Sequence, residues 1–167
     1  MKHMTIGRFF RKVALGIFLL AAAALFSFLL TETLDSRDPE NNLPILTVSC
    51  GYASTLTSGS NTPETFIKRA GYEWNFLTKI VKSPTMSPTD FALYPITVVA
   101  NTPIVINFSV PYETLKISRS NGQYDPNFLE VIGDVYTPAE PGDYCYCIEA
   151  GFKRGSIIYY FVVSVTE

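Results

Sequence analysis

The chain has 167 residues, 47% of them hydrophobic and 14% aromatic, with 11 Pro and 10 Gly spread along its length, which is room for one domain and an anchor with ample material for a core. Lys2, Arg8, Arg11 and Lys12 precede every acid, and from Glu32 onward all 15 acids stand against 9 Lys and Arg, a balance of 9 − 15 = −6. That balance excludes the basic stripe of a nucleic-acid-binding surface.

In chain order, residues 1–12 read as a basic cytoplasmic tail and Val13 to Leu30 as a charge-free run. As a helix this run spans roughly 27 Å, against a hydrocarbon core of ~30 Å. The basic flank stays inside, so a signal-anchor helix through the lipid bilayer at residues 13–30 predicts a single-pass protein with its N-terminus cytoplasmic. A cleaved signal peptide is the rival reading, but signal cores run about 7–15 residues, and F-S-F-L-L-T-E-T is a poor cleavage site. Thr31 to Asn42 is polar and reads as a tether.

Residues 43–167 form the extracytoplasmic domain. Leu43 to Ser49 is the first predicted strand, and Gly51 to Pro63, rich in Ser, Thr and Gly, is a loop. Thr65 to Lys68 and Tyr72 to Leu77 are two further strands, with Trp74, the one Trp, as a buried aromatic between sheets. Lys82 to Asp90 holds Pro84 and Pro88 and reads as a loop or an irregular edge. Tyr94 to Val99, Ile104 to Val110, Thr114 to Ser118, Phe128 to Ile132 and Val135 to Thr137 are short strands, with a turn at Ser120-Asn121-Gly122. Turn-punctuated short strands of this kind predict an all-β, antiparallel sandwich behind the N-terminal transmembrane helix.

The clearest signal is the last one. From Pro138 to Val165 two alternating runs are joined at Lys153-Arg154-Gly155, which predicts a β-hairpin. Tyr144, Tyr146, Ile148, Ala150 and Phe152 share one face, as do Ile157, Tyr159, Phe161, Val163 and Val165. Pairing Phe152 with Gly155 sets Ile148 opposite Tyr159 and Tyr146 opposite Phe161, and a slip of one residue breaks the agreement. The same register sets Cys147 opposite Tyr160 and Cys145 opposite Val162. That outer face is too apolar to stay wet, so another segment of the chain or a partner covers it. Ile158, Tyr160 and Val162 are the predicted partner face.

The approach Glu140, Gly142, Tyr144, Tyr146 resembles the corner before strand F of immunoglobulin-like domains. The immunoglobulin Cys would fall at Tyr146, while Cys145 and Cys147 point the other way, so the inter-sheet disulfide of antibody domains is not implied. The stretch from about 45 to 167 also resembles a group of Gram-positive surface proteins that share a G-x-Y-x-W segment, matched loosely by Gly71, Glu73 and Trp74, a Pro-bounded strand pair and a Gly-Tyr hairpin. That resemblance implies an immunoglobulin-like sandwich at the cell surface and no particular activity.

The candidate sites are few. The one His, His3, lies in the cytoplasmic tail, so no His-based triad forms outside. Carboxylate pairs such as Asp134 with Glu140 or Glu130 are ordinary for loops, and the chain is read as non-enzymatic, with no cofactor and no catalytic or metal residues. Cys145 and Cys147 are ~6.7 Å apart along one strand with nearly parallel Cβ vectors, at the edge of disulfide range. Cys50 pairing with Cys145 or Cys147 closes a loop worth ~4 kcal/mol; the bland reading makes all three apolar fillers. Most aromatics sit at core positions, leaving Tyr112, Tyr124 and Tyr136 to test against a glycan or protein partner. The function implied is a binding or accessory module at the cell surface. The alternatives are a cleaved, secreted inhibitor or scaffold, or an envelope hydrolase.

Overall fold

Leu, Ala and Phe without an interrupting proline carry the first helix. The computed structural model describes residues 6–51, 54–57, 66–122 and 125–166. Helix α1 covers Ile6–Asp35, and its Phe9–Asp35 stretch is long and apolar enough to cross a membrane. Phe18, Leu20 and Phe26 on it are about 70% exposed, uncovered by the β domain (68%, 74% and 70%).

The polar segment after the apolar run is not a loose tether. The Thr31 and Thr33 hydroxyls donate to the carbonyls of Ser27 and Leu29 four residues back, at 3.0 and 2.8 Å, so the helix continues to Asp35. Pro39–Asn42 then forms a single helical turn, α2. Both pieces are tied to the β domain by ion pairs, Glu32 with Arg154 and Glu40 with Arg69.

Ten strands follow among the described residues. A small sheet holds β1 (Leu46–Cys50), β2 (Ser54–Thr57) and β6 (Ile104–Phe108), in the order β2-β1-β6. Strand β2 falls where the sequence reads as a loop, because its Ser and Thr pair with β1 at the edge of the sheet. The large sheet holds β3 (Ile67–Asn75), β4 (Ile80–Ser83), β5 (Pro95–Val99), β7 (Thr114–Asn121), β8 (Leu129–Glu130), β9 (Gly142–Phe152) and β10 (Gly155–Thr166). Its order is β4-β3-β10-β9-β7-β8.

The hairpin β9–β10 has the predicted register: Phe152 faces Gly155, Ile148 faces Tyr159, Tyr146 faces Phe161, Cys147 faces Tyr160 and Cys145 faces Val162. Gly155 is required by packing. A Cβ there would lie 1.9 Å from the Glu73 carbonyl oxygen. On its other edge β10 pairs first with β3, antiparallel, as far as Phe161, and then with β5, parallel, from Val162. The sheet is therefore mostly rather than wholly antiparallel.

Strand β3 is continuous where the sequence suggests two strands. Gly71 faces Ile158 and Arg69 faces Tyr159, so Ala70 is an extra residue, a β-bulge. The bulge breaks the alternation that marks a single strand. Gly71 has no room for a side chain, since a Cβ would lie 2.8 Å from Thr85 Cα. The chain from Pro84 onward thus lies directly on β3. The predicted strand over Val135 to Thr137 reduces to an isolated bridge between Pro103 and Tyr136.

Two apolar clusters result. The inner one joins Leu46, Val48 and Ile104 of the small sheet to Tyr146, Ile148, Tyr159, Phe161 and Val163 of the large sheet. The outer one lies on the far face and gathers Ala70, Leu93, Cys145, Cys147, Tyr160 and Val162. A 3₁₀ turn at Pro88–Asp90, closed by a reciprocal Ser87–Asp90 capping box, brings Phe91 and Leu93 over that face.

Candidate functional site

One end of the domain gathers the end of α1, the end of β3, the loop after β6 and the β9–β10 turn. Between them is a cavity of about 530 Å³. Trp74, Phe76, Phe152, Leu43 and Val110 are among its apolar lining, and Tyr112 stands half-exposed at the mouth. Edge-to-face aromatic contacts connect three of its lining rings through Phe108 behind them: Trp74 to Phe152 at 5.6 Å, Phe152 to Phe108 at 5.3 Å and Phe108 to Tyr112 at 5.6 Å between centroids. Such pairs add about 0.5–1.5 kcal/mol each beyond the area they bury.

Strand parity explains the wall. Trp74 and Phe152 fall on the inner faces of β3 and β9 but at the strand ends, where the core opens. The Asn75 side chain accepts from Leu77 N at 2.7 Å and shapes the turn after β3, in which Leu77 takes a φ of +64°.

Arg154 organises the floor. Its Nη1 donates to Glu32 Oε1 at 3.0 Å and its Nη2 to Glu32 Oε2, while Nε donates to the Asn75 carbonyl at 2.7 Å. Asn75 N donates in return to the Arg154 carbonyl at 2.8 Å. The guanidinium stands 6.0 Å from the Phe76 ring centre. Glu32 is 7% exposed, while the Arg154 side chain is 36% exposed, so this fork-to-fork pair joins the helix to the domain with the carboxylate buried and the guanidinium partly in water. The mouth carries both signs of charge: Asp35 and Glu113 on one side of the balance, Lys153 on the other.

A second pair clasps the segment leading into β1. Arg69, 8% exposed at its side chain, donates from Nη1 to Glu40 Oε2 at 2.5 Å and to the Glu40 carbonyl at 3.0 Å. Its Nε and Nη2 are buried without a hydrogen-bond partner. Nearby, the Tyr159 hydroxyl donates to the Pro44 carbonyl at 2.7 Å. Burial pushes that phenol up to about 12.

The predicted disulfide does not form. Cys50, Cys145 and Cys147 are free and buried. Cys50 lies in the inner cluster with Tyr146, while Cys145 and Cys147 lie in the outer one. Neighbours along a strand point to opposite faces, so the sheet separates them. Burial pushes the thiols of Cys50 and Cys147 up to about 11 and that of Cys145 up to about 12.

The predicted partner face is also revised. Tyr160 and Val162 are 7% and 0% exposed, covered by the chain itself. The Phe128 ring stacks on Tyr160 at 5.9 Å and Phe91 lies at 6.4 Å. Only Ile158 is half-open, between two shallow hollows. Tyr112 and Tyr136 are about half-exposed (48% and 49%) but only Tyr112 borders the cavity. Tyr124 and His3 lie outside the described residues. Glu130, Asp134 and Glu140 are exposed, and among the described residues no three His, Cys, Asp or Glu come together as a metal site.

Sequence reasoning missed the Glu32–Arg154 pair and the cavity. The usable signal was Glu32 itself, a carboxylate two residues past a charge-free run in a helix that never breaks before it. Comparison of the chain with protein families, with characterised proteins and with solved structures finds no match.

Proposed function

We propose that this chain is a single-pass membrane protein whose immunoglobulin-like domain stands outside the cell as a non-enzymatic binding module, with the cavity beside the helix end as its binding site. The observation that carries this reading is the part-buried Glu32–Arg154 pair, which holds the cavity against the end of the apolar helix. The basic residues before that helix support a cytoplasmic N-terminus. Two features support the immunoglobulin-like assignment. The Tyr144 hydroxyl donates to the Glu140 carbonyl at 3.0 Å, as a tyrosine corner does. Strands β7, β9 and β10 adjoin in the manner of strands C, F and G. The extension of the sheet beyond β10 by β3 and β4 departs from that pattern.

Fractionation and protease shaving of intact cells test the proposal. The protein is expected in the membrane pellet, with the β domain removed by external protease and a helix-sized fragment retained. Recovery of the domain in the culture medium, or its protection in intact cells, overturns the reading.

A further inference from the structure

The cavity's chemistry narrows what it can hold, provided that α1 spans the membrane as proposed above. Leu30 closes the charge-free run, and Asp35, at the cavity, lies five residues further along one unbroken helix. At ~1.5 Å per residue that is roughly 7.5 Å beyond the hydrocarbon edge, when the head-group layer itself is about 5–7 Å deep. The mouth of the cavity is therefore held at the outer edge of the lipid head-group layer. The part-buried Glu32–Arg154 pair fixes it there, so it does not swing freely on a linker.

The lining is apolar and aromatic, and suits a hydrocarbon chain. Trp74 and Phe152, each 6% exposed, and Phe76, 2% exposed, form its base, and Val110 and Tyr112, 40% and 48% exposed, present open apolar surface above them. The mouth offers Lys153, in the hairpin turn, opposite in sign to Asp35 and Glu113. Arg154 is already matched by Glu32. A head group with a single negative charge meets more acid than base at this mouth. A zwitterion meets both, its phosphate on Lys153 and its ammonium on the carboxylates. Exposed Leu77 and Val110 on the flanking turns continue the apolar surface outward.

From this placement we infer that the cavity binds an acyl chain of a zwitterionic phospholipid drawn from the leaflet in which α1 ends. The protein thus grips a lipid of its own membrane, with the head group read by Lys153, Asp35 and Glu113.

Trp74 makes the test direct, because it is the one Trp in the chain and it lines the cavity. The full-length protein is placed in nanodiscs of unlabelled lipid containing a small fraction of phosphoethanolamine lipid with brominated acyl chains. Bromine quenches indole fluorescence on contact. Quenching several-fold above that set by the mole fraction is expected, reversed by excess unlabelled phosphoethanolamine lipid. A brominated phosphoglycerol lipid is expected to quench several-fold less. Val110→Arg, at an exposed position, should return quenching to the mole-fraction level with the circular dichroism unchanged, and Lys153→Glu should abolish the head-group preference. Quenching that merely follows mole fraction, or that persists in folded Val110→Arg, overturns the inference. Equal quenching by the two lipids overturns the head-group assignment. Failure of the protein to enter nanodiscs would instead strike the membrane reading itself, so the two failures are distinct.

Discussion

Glu32, at the end of the apolar helix, and Arg154, in the turn of the last hairpin, are 122 residues apart and meet as a two-point ion pair. Their burial is unequal: side-chain exposure is 9% for Glu32 and 36% for Arg154. Removing one partner of a buried pair costs up to about 3–5 kcal/mol, because the other charge is left without a counter-ion. Arg154→Ala strands a buried carboxylate and also loses the Asn75 contact. Glu32→Gln leaves a guanidinium with access to water. We therefore expect losses of about 2–3 kcal/mol for the first and about 1 kcal/mol for the second. Urea midpoints of the full chain in detergent check the order, and equal losses would contradict the unequal burial.

Arg69 makes the opposite case. Two of its nitrogens are buried with no hydrogen-bond partner, while Glu40, its counter-ion, is half in water. Losing one partner of an ion pair is costly when the other charge is left buried, but here the Glu40 carboxylate left behind is 51% exposed and stays hydrated. Arg69→Met is expected to raise the thermal midpoint or leave it unchanged, within about 1 kcal/mol of the parent. A loss beyond that would mean that the clasp on Glu40 holds the entry to β1.

The outer face behaves as core in this structure. Val162→Asp places a charge where exposure is 0% and should unfold the domain, since burying an unpaired carboxylate costs several kcal/mol. Ile132→Asp, at a side chain 90% exposed, should leave stability within about 0.5 kcal/mol. Circular dichroism melts of the two variants give the comparison. A folded Val162→Asp protein would restore the idea of an open partner surface.

The thiols set a pH dependence. Burial raises Cys50 and Cys147 from an ordinary value of 9.0 to about 11, and Cys145 to about 12. The unfolded chain releases these protons first, so stability is intact below pH 9 and falls as pH climbs toward 11. Cys→Ala variants should flatten that fall. Thiol reagents at neutral pH should label none of the three until denaturant is added, and reductant should not move the melting midpoint.

Gly155 tests the hairpin. A methyl group there collides with the Glu73 carbonyl, in the strand that flanks β10. Gly155→Ala should cost about 2–4 kcal/mol, at the high end for a single substitution, because backbone rather than a flexible side chain must move. A change under about 0.5 kcal/mol would show that β3 can withdraw from β10.

Much of this molecule is written locally. A charge-free run with a basic flank makes the apolar helix, and alternation of Tyr, Ile, Phe and Val over 144–165 makes the hairpin and even its register, because a strand repeats every two residues. The tertiary structure decided everything that depends on a neighbour distant in sequence. Periodicity in Tyr160 and Val162 says that they need cover, but not that Phe91, Leu93 and Phe128 supply it. The bulge at Ala70 erased the alternation of β3, and the polar β2 is a strand only because β1 offers it an edge. Cys50 and the other two thiols were separated by sheet faces that spacing along the chain does not encode. The cavity is the extreme case: its wall is drawn from five separate stretches, none apolar enough to stand out, and it exists because Glu32 and Arg154 bring the helix end and the hairpin turn together.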